Sequence, residues 1–104
     1  MLDLDAVTKD NWSALFYAAM NSELAIIDFL ITEAKVKTTL VDRFKRSPVH
    51  WAARYDLVNV IAKLAELNCC ALDTLDADGN TPTDIARLHR NMESFSLLKA
   101  RVML

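Results

Sequence analysis

Glycine is almost absent from the 104 residues: there is one, and only two prolines and two cysteines accompany it. A single glycine cannot supply the Gly-rich loops that cradle phosphates or dinucleotides, so those binding motifs are excluded. So few helix-breaking residues point to helices joined by short turns. The cysteines, Cys69 and Cys70, are adjacent. Neighbouring cysteines rarely bridge without strain, and they lack the gap that lets two sulfurs reach one zinc ion. Reduced thiols that bind no metal are therefore expected, in a reducing compartment. No apolar run approaches the ~20 residues needed to cross a bilayer, and the acidic start MLDLDAVTKDNW is unlike a signal peptide. An intracellular site, cytoplasmic or nuclear, with no membrane insertion, is the expectation. A net charge of −2 gives no bulk attraction to nucleic acid.

The composition that remains, 53% apolar and 25% charged, is that of a folded domain with one core. Its order is periodic. SALFYAAM begins at Ser13, SPVHWAAR at Ser47 and TPTDIARL at Thr81, a spacing of 34 residues each time. The apolar pairs Ile26–Ile27 and Val60–Ile61 and the matching Ser94–Phe95 keep the same offset, as do Asp42 and Asp76, with Thr8 in the corresponding first position. A period of this size along the chain indicates a solenoid of stacked units.

The middle copy shows how one unit forms. Ser47 can accept an N–H from the first turn of a helix, and Pro48 suits the first helical position, where its missing N–H costs nothing. Ala52 and Ala53 let neighbouring helices approach closely. A second helix near Leu57–Leu67 would bury Val58, Ile61, Ala62 and Ala65, and Asn68 can end it in a positive-φ conformation. Asp78-Gly79 marks the turn into the third copy. Inner helices should begin near Ser13, Ser47 and Thr81, and outer ones near Glu23, Leu57 and Asn91.

With these residues in view, the chain resembles the ankyrin-repeat family, whose units open on Thr-Pro-Leu-His-x-Ala. SPVHWAA matches at Ser47, Pro48, His50, Ala52 and Ala53; DADGNTPTDIA matches at Asp76, Gly79, Thr81, Pro82 and Ala86. The resemblance implies an all-α solenoid of three stacked helix–turn–helix units with short β-turn or hairpin loops. It would be a single domain over 1–104, with units at about 6–39, 40–73 and 74–104. Three departures carry expectations of their own. The spacing exceeds the family's period of about 33 by one, which would place an extra residue in the loop after each outer helix. Lys45 stands where glycine is usual, so the middle turn should be distorted. The third copy ends in SFSLLKARVML, without a polar capping face, so Val102, Met103 and Leu104 would need cover.

Catalytic and metal readings fail on constellation. His50 has no recurring acid or nucleophile beside it, since Phe16 and Asp84 take its place in the sister copies. The resemblance instead implies that His50 hydrogen-bonds within and between units. Asp76, Asp78 and Asn80 resemble the opening of a calcium loop, but no bidentate Glu follows, so Asp76 is expected to form a turn. Asp3 and Asp5 lie too near the chain end for a protected acid–base pair. No cofactor or metal is expected, and no enzymatic activity.

The resemblance assigns the turn tips and exposed inner-helix ends to a concave face: Lys9, Asp10, Trp12, Met20 and Asn21, then Arg43, Phe44, Arg46, Arg54 and Tyr55, then Ala77, Asp78, Asn80, Leu88 and His89. Tyr17, Trp51 and Ile85 should be half-buried beside them. Arg, Tyr and Trp are enriched at binding hot spots. Arg43, Phe44, Arg46, Arg54 and Tyr55 are therefore the expected centre of a partner-binding site, with Trp12, Met20, Asn21, Leu88 and His89 around it. The basic tip RFKR on an acidic chain suits an acidic or phosphorylated peptide; alone it is too short a signal for nucleic acid. The expected function is a non-catalytic protein–protein interaction module. The alternative is a regulatory or docking domain excised from a larger enzyme or channel.

Overall fold

A computed structural model describes residues 5–68 and 71–102. Cys69, Cys70, Asp3, Met103 and Leu104 lie outside the described residues, so the expectations for the thiols, for an Asp3–Asp5 pair and for the last two residues fall there too. Among the described residues six α-helices form three pairs: α1 (Ala14–Met20) with α2 (Leu24–Asp28), α3 (Pro48–Arg54) with α4 (Val58–Glu66), and α5 (Pro82–Leu88) with α6 (Met92–Val102). No strand occurs among the described residues. Inner helices stack α1 on α3 on α5, and outer helices α2 on α4 on α6. The result is a two-layer body of 41 × 26 × 22 Å.

Each inner helix starts where the hydroxyl repeats. Ser47 Oγ accepts from the His50 N–H, and the Ser47 N–H donates to His50 Nδ1 at 3.1 Å. In the third unit Thr81 and Asp84 make the same reciprocal pair, at 3.1 Å both ways. Each cap satisfies N–H groups that a short helix leaves without partners. Ser13 makes no side-chain cap: the Phe16 N–H bonds the Ser13 carbonyl instead, and the buried Phe16 ring has no acceptor to return. Ala18, Ala52 and Ala86 share one register and are buried, so small side chains set the close approach of the inner helices.

The outer helix of the second unit buries Val60, Ile61 and Leu64. Of the expected face of Val58, Ile61, Ala62 and Ala65 only Ile61 is buried, and the other three stay part-exposed. The i, i+1, i+4 set faces the inner helices, and burying each of its side chains is worth ~1.5–3 kcal/mol.

Backbone conformation carries the repeat too. Positive φ recurs at Asn11, Lys45 and Gly79 in the turn tips, and at Ser22, Asp56 and Arg90 between paired helices. The middle tip is not distorted. Lys45 takes φ 58° against 78° for Gly79, and both N–H groups bond back to their turn acid's carbonyl, at 2.9 and 3.0 Å. The tip geometry is held by Asp42, so Lys45 bears the strain of the left-handed region rather than unfolding the turn.

The extra residue is placed differently in the two copies. After the outer helices the positive-φ residues are Lys35 and Asn68, 33 apart, whereas every other pair keeps 34. In the first unit the additional residue sits inside the outer helix, where Phe29–Glu33 widens into a π-helical turn. Only in the second unit does it fall in the following loop. At the far end, Thr83, Asp84 and Lys99 stand at the register of Val49, His50 and Ala65. The third unit therefore does carry polar groups on its end face; Val102 beside them is exposed.

Candidate partner-binding surface

The turn acids organise the surface formed by the tips and inner helices. Asp42 Oδ1 accepts the N–H groups of Phe44 (2.9 Å) and Arg46 (3.0 Å), closing its own tip. Asp76 Oδ1 does the same for Asp78 and Asn80, both at 2.9 Å. The second carboxylate oxygen reaches the unit before, and that of Asp42 also reaches a ring of its own unit. Asp42 Oδ2 accepts from Trp12 Nε1 at 3.3 Å and from Trp51 Nε1 at 2.6 Å. Asp76 Oδ2 accepts from Arg46 Nε at 3.3 Å. Burial alone would raise the Asp76 pKa, but the N–H groups of Asn80 and Asp78 and the Arg46 guanidinium outweigh it and hold the carboxyl below its ordinary value. Successive tips are also joined by backbone bonds, Arg43 N–H to the Asp10 carbonyl and Ala77 N–H to the Phe44 carbonyl.

With both indole N–H groups turned inward, the rings form a continuous strip. Tyr17 meets Trp12 edge-on at 5.2 Å, Trp12 meets Trp51 edge-on at 5.6 Å, and Trp51 stacks on Tyr55 at 6.1 Å. Guanidinium groups flank it: Arg46 and Arg54 lie 5.2 and 5.8 Å from the Trp51 ring, and Arg43 and Arg46 lie 5.2 and 5.5 Å from Phe44. Tyr17, Phe44 and Tyr55 are 45%, 46% and 57% exposed, so the strip is open to a ligand.

Arg43, Phe44, Arg46, Arg54, Tyr55 and Trp12 are thus brought together. Met20, Asn21, Leu88 and His89 are in register with Arg54 and Tyr55 at the ends of α1 and α5, but no ring or ion-pair contact joins them to the strip among the described residues. Met20 packs toward the core, while Leu88 and His89 are exposed. Two half-buried expectations are corrected. Tyr17 is 45% exposed, and Ile85 is buried at 4% under α3. Sequence reasoning missed Asp42 as the common acceptor, although its 34-residue match to Asp76 was visible. Trp51 is half-buried as expected, and its ring is the junction of the strip.

His50 lies outside this surface. It is 1% exposed, with Nδ1 accepting from Ser47 and Nε2–H donating to the Asn80 carbonyl of the next unit at 3.0 Å. That pattern requires the neutral ring. Burial lowers its pKa below the usual 6.5, against the opposing pull of the Asn80 carbonyl and Asp76. Among the described residues no group of three or more His, Cys, Asp or Glu could hold a metal ion.

The helix pairs, reciprocal caps and His50 bridge have a counterpart among known families: the family model for ankyrin repeats (3 copies) matches residues 1–69. This chain belongs to the ankyrin-repeat family. No curated protein matches it. Ankyrin repeats are generally protein-interaction modules and typically non-catalytic. The matched residues hold the ankyrin tips and inner helices that carry the whole strip from Tyr17 to Tyr55. No helix among the described residues is long and apolar enough to cross a membrane.

Proposed function

We propose that the chain is a non-catalytic interaction module that binds an acidic segment of another protein across the strip Tyr17–Trp12–Trp51–Tyr55. The observation that carries this reading is the strip itself: four rings in unbroken contact, exposed at both ends and edged by arginines. Large, rigid aromatic side chains supply contact area at small entropic cost and dominate binding energetics. Asp42 fixes both indoles before any ligand arrives, which reduces the cost of ordering the site. The basic edge favours acidic segments by charge complementarity and should speed their association.

The test uses the chain's own fluorophores, because its two tryptophans are both in the strip. Peptides selected from a random library should shift tryptophan emission on binding. Tyr55→Ala should weaken them about tenfold or more, as hot-spot truncations do, and Glu66→Ala on the outer layer should leave them unchanged. Selected peptides that ignore Tyr55→Ala and Trp51→Phe but respond to outer-helix changes would place the binding face elsewhere.

A further inference from the structure

The three arginines beside the strip are not equivalent. Arg46 is committed within the fold: its side chain is 17% exposed, Nε lies 3.3 Å from Asp76, and Nη2 lies 3.7 Å from Asp78. Arg43 is paired with Asp10 at 3.3 Å, both largely exposed. Arg54 is half-buried, its guanidinium 5.8 Å from the Trp51 ring and 5.9 Å from that of Tyr55, and no carboxylate among the described residues pairs with it. Two rings have removed part of its hydration, and five N–H donors have no acid to meet. The adjacent helix end does not repel an anion strongly either. The carbonyls of Ala53 and Arg54, which would carry the negative end of α3, are occupied by the Asn91 amide at 2.7 and 2.9 Å.

From this we infer that Arg54 is the anion-reading residue of the surface, and that its ligand is an extended peptide with one acidic side chain followed by apolar side chains at the second and fourth positions after it. This rests on the proposed binding of a partner along the strip and specifies which residues of that partner matter. The spacing follows from the stations. From the Arg54 guanidinium to the Trp51 ring is 5.8 Å, and from Trp51 to Trp12 another 5.6 Å. An extended chain presents a side chain to the same face about every 6.5–7 Å. The apolar residues meet the rings by carbon contact alone, because both indole N–H groups are already bound to Asp42. The acid supplies two oxygens to the planar guanidinium fork.

The experiment titrates wild type with synthetic twelve-residue peptides free of tryptophan and tyrosine, reading tryptophan emission excited at the red edge. One peptide carries Glu at the first station and Leu at the second and third; the others replace Glu by Gln or by phosphoserine. The Glu and phosphoserine peptides should bind at least tenfold more tightly than the Gln peptide. That preference should vanish in Arg54→Gln and persist in Arg43→Gln, with near-ultraviolet circular dichroism confirming that both variants fold. Equal binding of the Glu and Gln peptides overturns the assignment of Arg54 while leaving the aromatic strip as a binding surface. Loss of the preference in Arg43→Gln instead moves the anion site to the tip. Failure of all three peptides to bind overturns the spacing and the assignment together; library peptides that still depend on Tyr55 would then show that the strip itself survives.

Discussion

Replacing His50 by Ala removes the side chain that ties the cap of one unit to the turn of the next. Its ring accepts the Ser47 N–H at 3.1 Å and donates to the Asn80 carbonyl at 3.0 Å. The two partners are left in different states. The Asn80 carbonyl still accepts from the Asp76 N–H at 2.9 Å, so it keeps one bond. The Ser47 N–H, in a buried residue, loses its acceptor. A buried donor without a partner costs ~1–3 kcal/mol, and the cavity left by the ring adds to it. The expected loss is about 2–4 kcal/mol, a drop in Tm on the order of 10–20 °C for a domain of this size. Urea unfolding followed by far-ultraviolet circular dichroism measures it directly. A loss under about 0.5 kcal/mol would refute the structural role.

The same residue gives a pH signature with a fixed sign. Its folded pKa is lowered by burial, so the unfolded chain takes up a proton first as pH falls. Stability from His50 is present above pH 6.5 and declines from there down through the folded pKa, with a slope of at most ~1.4 kcal/mol per pH unit for one proton. Asp76 is also lowered, from 3.8, so its contribution is lost only at more acid pH. The two windows are therefore separable. In His50→Ala the step just below pH 6.5 should shrink while the acid limb remains. An unchanged profile in the variant would show that His50 does not stay neutral in the fold.

Lys45→Gly should stabilise the chain by up to about 1 kcal/mol, since φ 58° costs a residue with a side chain ~1–2 kcal/mol and glycine's greater loss of chain entropy offsets only part of that relief; a lower Tm would contradict this. Thr81→Ala removes the acceptor for the Asp84 N–H and should cost ~1 kcal/mol in urea unfolding. Asp42→Asn can keep both tip bonds through its oxygen, but its amide then faces two indole N–H donors. It should cost ~1–3 kcal/mol and shift tryptophan emission, and an unaltered spectrum would argue against Asp42 as the shared acceptor.

The sequence made the scaffold readable because a register repeated three times constrains it at every level. A hydroxyl before a helix, a pair of alanines inside it and an acid ahead of the tip need only local physics to interpret. The π-helical turn at Phe29–Glu33 was not readable for a definite reason. Both intervals have the same total length, so spacing alone cannot say whether an extra residue widens a helix or lengthens a loop. The fate of the arginines was nearer to hand. Trp12 donates to Asp42, and Arg46 donates to Asp76, both across 30 residues. Whatever stands at that register is drawn to the next unit's turn acid, and a donor placed there is used within the fold. Applied to the sequence, that rule removes Arg46 from the candidates by its register alone. What it cannot do is separate Arg43 from Arg54. That distinction depends on Asp10 lying beside one and on two rings and no acid lying beside the other. The scaffold follows from the period, while the ligand chemistry depends on which side chains break it.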